Sequence, residues 1–372
     1  MKENKGITLI SLAIIIVVMM ILAGVVINLS ERNEEAIEVA NLMKEDAERA
    51  SIEEEIKTAL TENPPATYQE LINFLSTYGT VENKDDYDNA TLVTSNGGYS
   101  IKVKDIWNID ATSAGVEIGD YIKYNAQNAS YLVSGNYSGT GSNVTLSIPS
   151  SSNLTWRVFD INEQTGEIKV VPTNLSNFSL AVKGVEGYNN IVKLLNDICD
   201  TIFTNEEKNV KARSINIEDI EEIATNIDTL RGSSYNSEQE YTSANYPAIE
   251  SSKNDINEQD KFYTGTKTGK ITLRQTYYTG TILFENEIQR TILTPNRYWL
   301  ASRAVRNTTG KFFLRTINST NTISIEALEV YDTAGNEING TKDNEILPVL
   351  ILNKNTIITD GDGSQEKPFS IK

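Results

Sequence analysis

Residues 5–30 read KGITLISLAIIIVVMMILAGVVINLS, and no charged side chain occurs from Ile7 to Leu29. As a helix rising 1.5 Å per residue, this run extends ~35 Å, enough for the hydrocarbon core of a bilayer with some tilt. Lys2 and Lys5 precede it, whereas Glu31, Glu34, Glu35 and Glu38 follow. Basic residues collect on the cytoplasmic flank of a span. The sequence therefore predicts a single-pass membrane protein with its N-terminus in the cytoplasm and its bulk outside. A cleaved secretory signal has an apolar core of roughly 7–15 residues before a small-x-small site. The run here is longer and grades directly into a helical pattern.

Beyond the membrane surface, Ala36, Ala40, Met43, Ala47 and Ala50 keep the four-three spacing of one helical stripe, extended by Ile52, Ile56 and Leu60. Asn63-Pro64-Pro65 ends the pattern, because proline lacks a backbone donor and pushes its predecessor out of the helical region. One continuous helix over 7–62 is expected, transmembrane over 7–29 and amphipathic beyond, ~80 Å long. The expected organisation is a leader over 1–6, this spine over 7–62, a small head over 63–112 and a large ectodomain over 113–372.

In the small head, Leu71, Ile72 and Leu75 fall in helical phase, and Asn96-Gly97-Gly98 marks a hairpin between Leu92-Val93 and the strand from Tyr99. Further on, Thr155-Trp156-Arg157-Val158-Phe159-Asp160 alternates polar and apolar residues and returns through Ile168 to Val171. A helix from Tyr188 to Phe203 carries apolar residues at 191, 194, 195, 198 and 202, and Asn216 offers an N-cap to a second helix. The interval 232–268 is polar and reads as a long irregular loop, after which short strands resume. The predicted fold class is α+β: a long N-terminal transmembrane-plus-amphipathic helix, then a mixed α+β ectodomain with mainly antiparallel strands.

Composition narrows the chemistry. The formal net charge of −18 opposes nucleic acid as a partner. With Cys199 alone, no intramolecular disulfide exists, and its neighbours Ile191, Leu195, Ile198 and Ile202 predict a buried, inert thiol. Histidine is absent, which removes the commonest general base, the Ser-His and Cys-His nucleophile pairs and the commonest zinc ligand. The expectation is a protein that is not an enzyme and needs no cofactor. Asp360 and Asp362 alternate in Asp360-Gly361-Asp362-Gly363-Ser364 like calcium ligands, yet Ile371 stands where an EF-hand places its bidentate glutamate, so a tight turn is the preferred reading. For ligand binding the candidates are Tyr235, Tyr241 and Tyr246 in the polar interval, with Tyr277 and Tyr278 beyond it. Trp107, Trp156 and Trp299 lie in strand-like contexts and read as core.

Lys5-Gly6-Ile7-Thr8-Leu9-Ile10 resembles the signal of type IV pilins and pseudopilins, including those of low-GC Gram-positive bacteria. That resemblance implies cleavage between Gly6 and Ile7 by a prepilin peptidase, N-methylation of Ile7, retention of the apolar segment, and assembly with other pilin subunits into an extracellular filament or pseudopilus. The family usually carries glutamate at the fifth mature position; Ser11 stands there, a hydrogen-bonding group without countercharge. Tip subunits of secretion pseudopili share this lack and have oversized heads, so a minor or tip component is implied. Gly24 offers a close-packing point for a neighbouring helix. The alternative is a membrane-anchored surface adhesin or carbohydrate- or protein-binding module that does not polymerise. Trp156-Arg157-Val158, Asp219, Tyr298-Trp299-Leu300-Ala301-Ser302-Arg303, Leu347-Pro348-Val349 and Asp360 to Gly363 resemble an uncharacterised Gram-positive surface domain, itself similar to C-type-lectin-like and formylglycine-enzyme-like folds.

Overall fold

The computed structural model describes residues 33–63, 65, 68–84, 89–95, 98–107, 115–148, 154–162, 165–173, 175–249, 256–293, 297–318, 324–332, 341–352, 356 and 358–371. The chain divides into two compact units, residues 1–64 with 71–108, and 65–70 with 109–372.

The expected N-terminal architecture is corrected by this structure. Among the described residues no helix is long and apolar enough to cross a membrane. The helix that is described, α1, runs Asn33–Glu62. Glu45, Asp46, Glu48, Glu53, Glu54 and Glu55 place charge on every face, and a charge at the centre of a bilayer costs several kcal/mol, about 3 on insertion scales. The 7–29 segment of the expected helix lies outside the described residues. The stripe along α1 is only partly used. Met43 is 45% exposed and Ala47 and Ala50 are exposed, whereas Ile56 and Leu60 are fully buried. Lys57 donates to Glu53 one turn earlier at 2.6 Å, and Pro64-Pro65 follows directly on the last turn.

Helix α2 (Tyr68–Leu75), which belongs to this unit from Leu71, is followed by a three-stranded antiparallel sheet, β1 (Gly79–Glu82), β2 (Thr91–Thr94) and β3 (Ser100–Lys102), and a short α3 (Val103–Ile106). Leu71, Ile72, Leu75, Leu92, Ile101, Val103 and Ile106 are buried. Tyr99 donates to Glu48 on α1 at 2.6 Å. Trp107 is half-buried in extended backbone just past α3 rather than within a strand.

The second unit is built on two sheets. Its elements in order are β4 (Tyr121–Lys123), β5 (Ser130–Val133), α4 (Gly135–Ser138), β6 (Val144–Ser147), β7 (Thr155–Asn162), β8 (Glu167–Pro172), β9 (Ser179–Lys183) and α5 (Gly184–Phe203). Then come β10 (Val210–Ser214), α6 (Ile217–Glu222), α7 (Ile227–Arg231), β11 (Glu238–Pro247), β12 (Thr266–Arg274), β13 (Gly280–Thr281) and α8 (Glu287–Leu293). The chain finishes with β14 (Tyr298–Arg306), β15 (Lys311–Asn318), β16 (Ser324–Asp332), β17 (Thr341–Ile346), β18 (Pro348–Leu352), β19 (Ile358–Asp360) and β20 (Phe369–Ile371).

One sheet has the order β10-β18-β8-β7-β4-β20-β19, antiparallel except where β20 meets β4; the other has the order β13-β16-β15-β14-β17-β9, antiparallel except where β14 meets β17. Mixed α+β with mainly antiparallel strands is therefore the architecture. Helix α5 packs on β10 of the first sheet and on β9 and β14 of the second. Ile191, Leu194, Leu195, Ile198 and Ile202 are all buried there, and Cys199 is buried with its thiol pushed up by loss of solvent. Trp156 and Trp299 are fully buried, and each indole satisfies its N–H on a backbone carbonyl, Tyr124 at 2.9 Å and Leu180 at 2.8 Å. A second core on the other side of β14 and β18 gathers Ile217, Ile220, Tyr278, Leu293, Leu300 and Ile317.

The expected irregular loop over 232–268 is instead largely a ribbon. β11 and β12 pair antiparallel from Glu238↔Arg274 to Pro247↔Thr266, with a bulge between Tyr241 and Ala244. The outer half of the ribbon, from Glu238 to Ser243, is exposed or half-buried and polar, so ladder bonds hold it without apolar alternation and β11 gave no clear period-2 signal.

Candidate functional site

The segment after β12 carries two adjacent tyrosines onto the end of β14. Thr276 and Tyr277 both donate their backbone N–H to the Val305 carbonyl, at 3.0 and 2.9 Å, and the Thr276 hydroxyl accepts from Val305 N–H at 2.8 Å. Gln275 accepts from Asn307 N–H at 2.9 Å and donates to the Tyr277 carbonyl at 2.9 Å. These bonds fix the directions of Tyr277 and Tyr278.

Tyr278 is buried. Its hydroxyl donates to Glu221 on α6, which also accepts from Arg231 at the end of α7 at 2.7 Å. Burial raises the phenol above its ordinary range, and the neighbouring Glu221 charge adds to that, so Tyr278 is a neutral donor. Desolvation works against the Arg231 charge, but Glu221 overcomes it and holds the guanidinium protonated. Tyr235 meets Tyr278 edge-on with centroids 5.9 Å apart, and Arg231 lies 4.6 Å over the Tyr235 ring. On another side of Tyr278, Arg315 from β15 lies 4.7 Å over the ring. Arg315 is fully buried and donates to the Thr276 and Arg303 carbonyls. Its Nη1 and the Nε of Arg231 are buried without hydrogen-bond partners.

At the outer end, Arg306 lies 4.0 Å over the half-buried Tyr277 ring and 5.5 Å over Phe313, whose ring is 4.8 Å from that of Tyr277. A planar guanidinium stacked on rings keeps its N–H edge available for a carboxylate or phosphate.

Of the five tyrosines singled out by sequence, the structure brings Tyr235, Tyr277 and Tyr278 into one cluster. Tyr241 is half-buried on β11 and its hydroxyl donates to the Asn307 carbonyl at 2.7 Å. Tyr246 is 7% exposed and belongs to the core around α5, which removes it from the ligand-binding candidates. Asp360 and Asp362 are exposed. Asp362 accepts from Ser364 N–H at 3.0 Å, and the Ser364 hydroxyl accepts from Lys367 N–H at 3.0 Å, the bonding of a closed turn. Gly363, at φ +77°, could carry no Cβ, because Asp120 and Phe369 lie 2.7 Å from where it would stand. No group of three or more metal-ligating side chains occurs among the described residues. Gly6, Ile7, Ser11 and Gly24 lie outside the described residues.

A second buried polar constellation lies elsewhere in this unit. Arg213 on β10 grips Asp219 with two bonds of 2.6 Å. Lys169 on β8 lies 3.2 Å from Asp219 and 3.1 Å from Asp160, and also bonds Glu222. Asp219 and Asn216 form a reciprocal cap at the start of α6. Burial alone would raise the Asp219 carboxyl, but the Arg213 bonds and the two cations hold it below the usual carboxylate range. Burial likewise opposes the Lys169 charge, and Asp219 with its carboxylate neighbours overrides it, so the amine stays protonated and is no nucleophile.

Arg231, Arg306, Arg315 and Glu221 are functional candidates that sequence reasoning missed. An arginine inside the apolar strand Phe312-Phe313-Leu314-Arg315-Thr316-Ile317 was the available signal, since a buried charge needs a reason. Compared with protein-family models, curated proteins and solved structures, the chain has no significant match, so the site rests on its own geometry.

Proposed function

We propose that the chain is a structural, non-catalytic subunit of a pilin-like assembly at the cell surface, cut after Gly6 and presenting its α+β unit as a minor or tip component. The observation that carries this reading is the sequence itself: Lys5-Gly6-Ile7-Thr8-Leu9-Ile10 opening an uncharged run to Leu29. The proposal requires that this segment enter lipid and pack against like segments of other subunits; it does not require continuity with α1. The absence of histidine from the sequence supports a binding or structural role over catalysis. Co-expression with a prepilin peptidase tests it. The wild-type chain should shorten by its first six residues and a Gly6→Val chain should not; a wild-type chain left intact by an active peptidase contradicts the proposal.

A second reading, a surface-anchored binding module that does not polymerise, is favoured by one observation: the half-buried Arg306 guanidinium is stacked on Tyr277 and makes no hydrogen bond or ion pair among the described residues. The two readings share the head and differ only in whether Gly6 is cut and the segment behind it assembles.

A further inference from the structure

The far ends of β11 and β12 are joined by a stretch whose described part, residues 256–265, lies across α5. None of its apolar side chains is buried. Ile256, Phe262 and Tyr263 are half-buried, with Phe262 flat on the half-buried Tyr137 ring at 4.0 Å between centroids, and the one buried residue is Asn257. Polar bonds hold the stretch down instead. The fully buried Asn190 carboxamide accepts from Tyr263 N–H at 2.9 Å and from Gln259 at 3.2 Å, and donates to the Tyr263 carbonyl at 2.9 Å. Gln259 accepts from Lys193 N–H at 3.3 Å and from the fully buried Arg303. The Ser302 hydroxyl donates to Asn257 at 2.6 Å.

The flanks are held differently. Tyr246, Ala248 and Ile249 before the stretch and Ile271 and Leu273 after it are buried. Main-chain bonds pin both of its ends: Arg303 N–H donates to the Ile256 carbonyl at 2.8 Å, and Ala248 N–H to the Gly265 carbonyl at 3.1 Å. Gly265 also donates to Glu186 at 2.9 Å, and at φ +70° it has open space where a Cβ would stand, which suits a pivot. Water can replace the hydrogen bonds of a polar segment that lifts, but it cannot replace the apolar contacts that hold the flanks. The segment between the pins therefore opens at a lower free energy than the ribbon it interrupts. We propose that residues 257–264 form a strap that lifts off α5 as one unit while the ribbon and both sheets stay folded, baring the Asn190 carboxamide and the edge of Arg303 that Gln259 covers. Processing at Gly6 plays no part in this, so its failure leaves the cleavage test untouched.

The test is residue-resolved hydrogen exchange of the full-length protein in detergent, read by mass spectrometry. In the wild type the Tyr263 amide should exchange about tenfold or more faster than the amides from Ile191 to Ile202 on α5, because lifting the strap frees it without opening the sheets. Gln259→Ala removes the bonds to Asn190, Lys193 and Arg303 and leaves the Tyr263–Asn190 pair in place. In a strap that lifts as one unit, losing those bonds should speed Tyr263 exchange by a further factor of about ten or more, the effect of one or two hydrogen bonds, with the α5 amides unchanged. A wild-type Tyr263 amide as slow as those of α5 overturns the proposal, and that comparison needs no variant. Tyr263 exchange indifferent to Gln259→Ala, or an acceleration shared equally by α5, overturns it as well.

Discussion

The two buried polar clusters of the second unit solve the same problem in opposite ways. Around Asp219, two cations meet three carboxylates, each within bonding distance, and the capping of α6 is built into the same group. Around Tyr278, among the described residues, Arg231 alone of three arginines bonds a carboxylate, Glu221, while Arg306 and Arg315 lean on ring faces and backbone carbonyls instead. The first cluster is complete as folded and serves stability. The second holds Arg306 and Arg315 on π faces and backbone oxygens, with Glu221 the one carboxylate bonded in it among the described residues.

The largest effect should come from breaking the complete cluster. Asp219→Ala strips Arg213 and Lys169 of their shared anion and α6 of its cap, and should lower unfolding free energy by about 3–5 kcal/mol, read from chemical denaturation. Acid should act on the same group. Its folded pKa is depressed, so its contribution is full above the unfolded value near ~3.9 and is lost as pH falls through the lower folded value. Unfolding midpoints of the wild type should therefore drop below about pH 4 more steeply than those of Asp219→Asn. Arg315→Met sharpens the contrast: it removes a charge held by a ring face and two bonds to carbonyls, and should change stability by only about 1 kcal/mol in either direction. Arg213→Met should instead destabilise by several kcal/mol, about 3 or more, because it strands Asp219. Equal losses for the two methionine variants would dissolve the distinction. Least affected should be Lys270→Ala, which breaks an exposed pair with Glu240 at 2.6 Å and should cost ~0–1 kcal/mol.

Much of the second unit was legible because its signals are local. The alternation from Thr155 and the return strand to Val171 appear as β7 and β8, and Ile191, Leu194, Leu195, Ile198 and Ile202, set at helical spacing, are all buried on α5. What escaped lacks a local signature. The ribbon of β11 and β12 is held by backbone pairing across a largely polar first strand, and of the expected membrane-to-head helix the described part is the charged α1, Asn33–Glu62, with no membrane-spanning helix among the described residues. Three of the five candidate tyrosines do meet, yet their arginines come from α7, β14 and β15, brought together only by the tertiary fold. Tyr246 illustrates the reverse error, an aromatic in a polar stretch that the ribbon turns inward.

Intact-mass measurement of the protein extracted from its native membrane decides whether it is a processed pilin-like subunit. The expected polypeptide begins at Ile7 with a methylated amine and keeps the segment to Leu29. A chain that still carries Met1 to Gly6, or one that starts beyond Leu29, contradicts it.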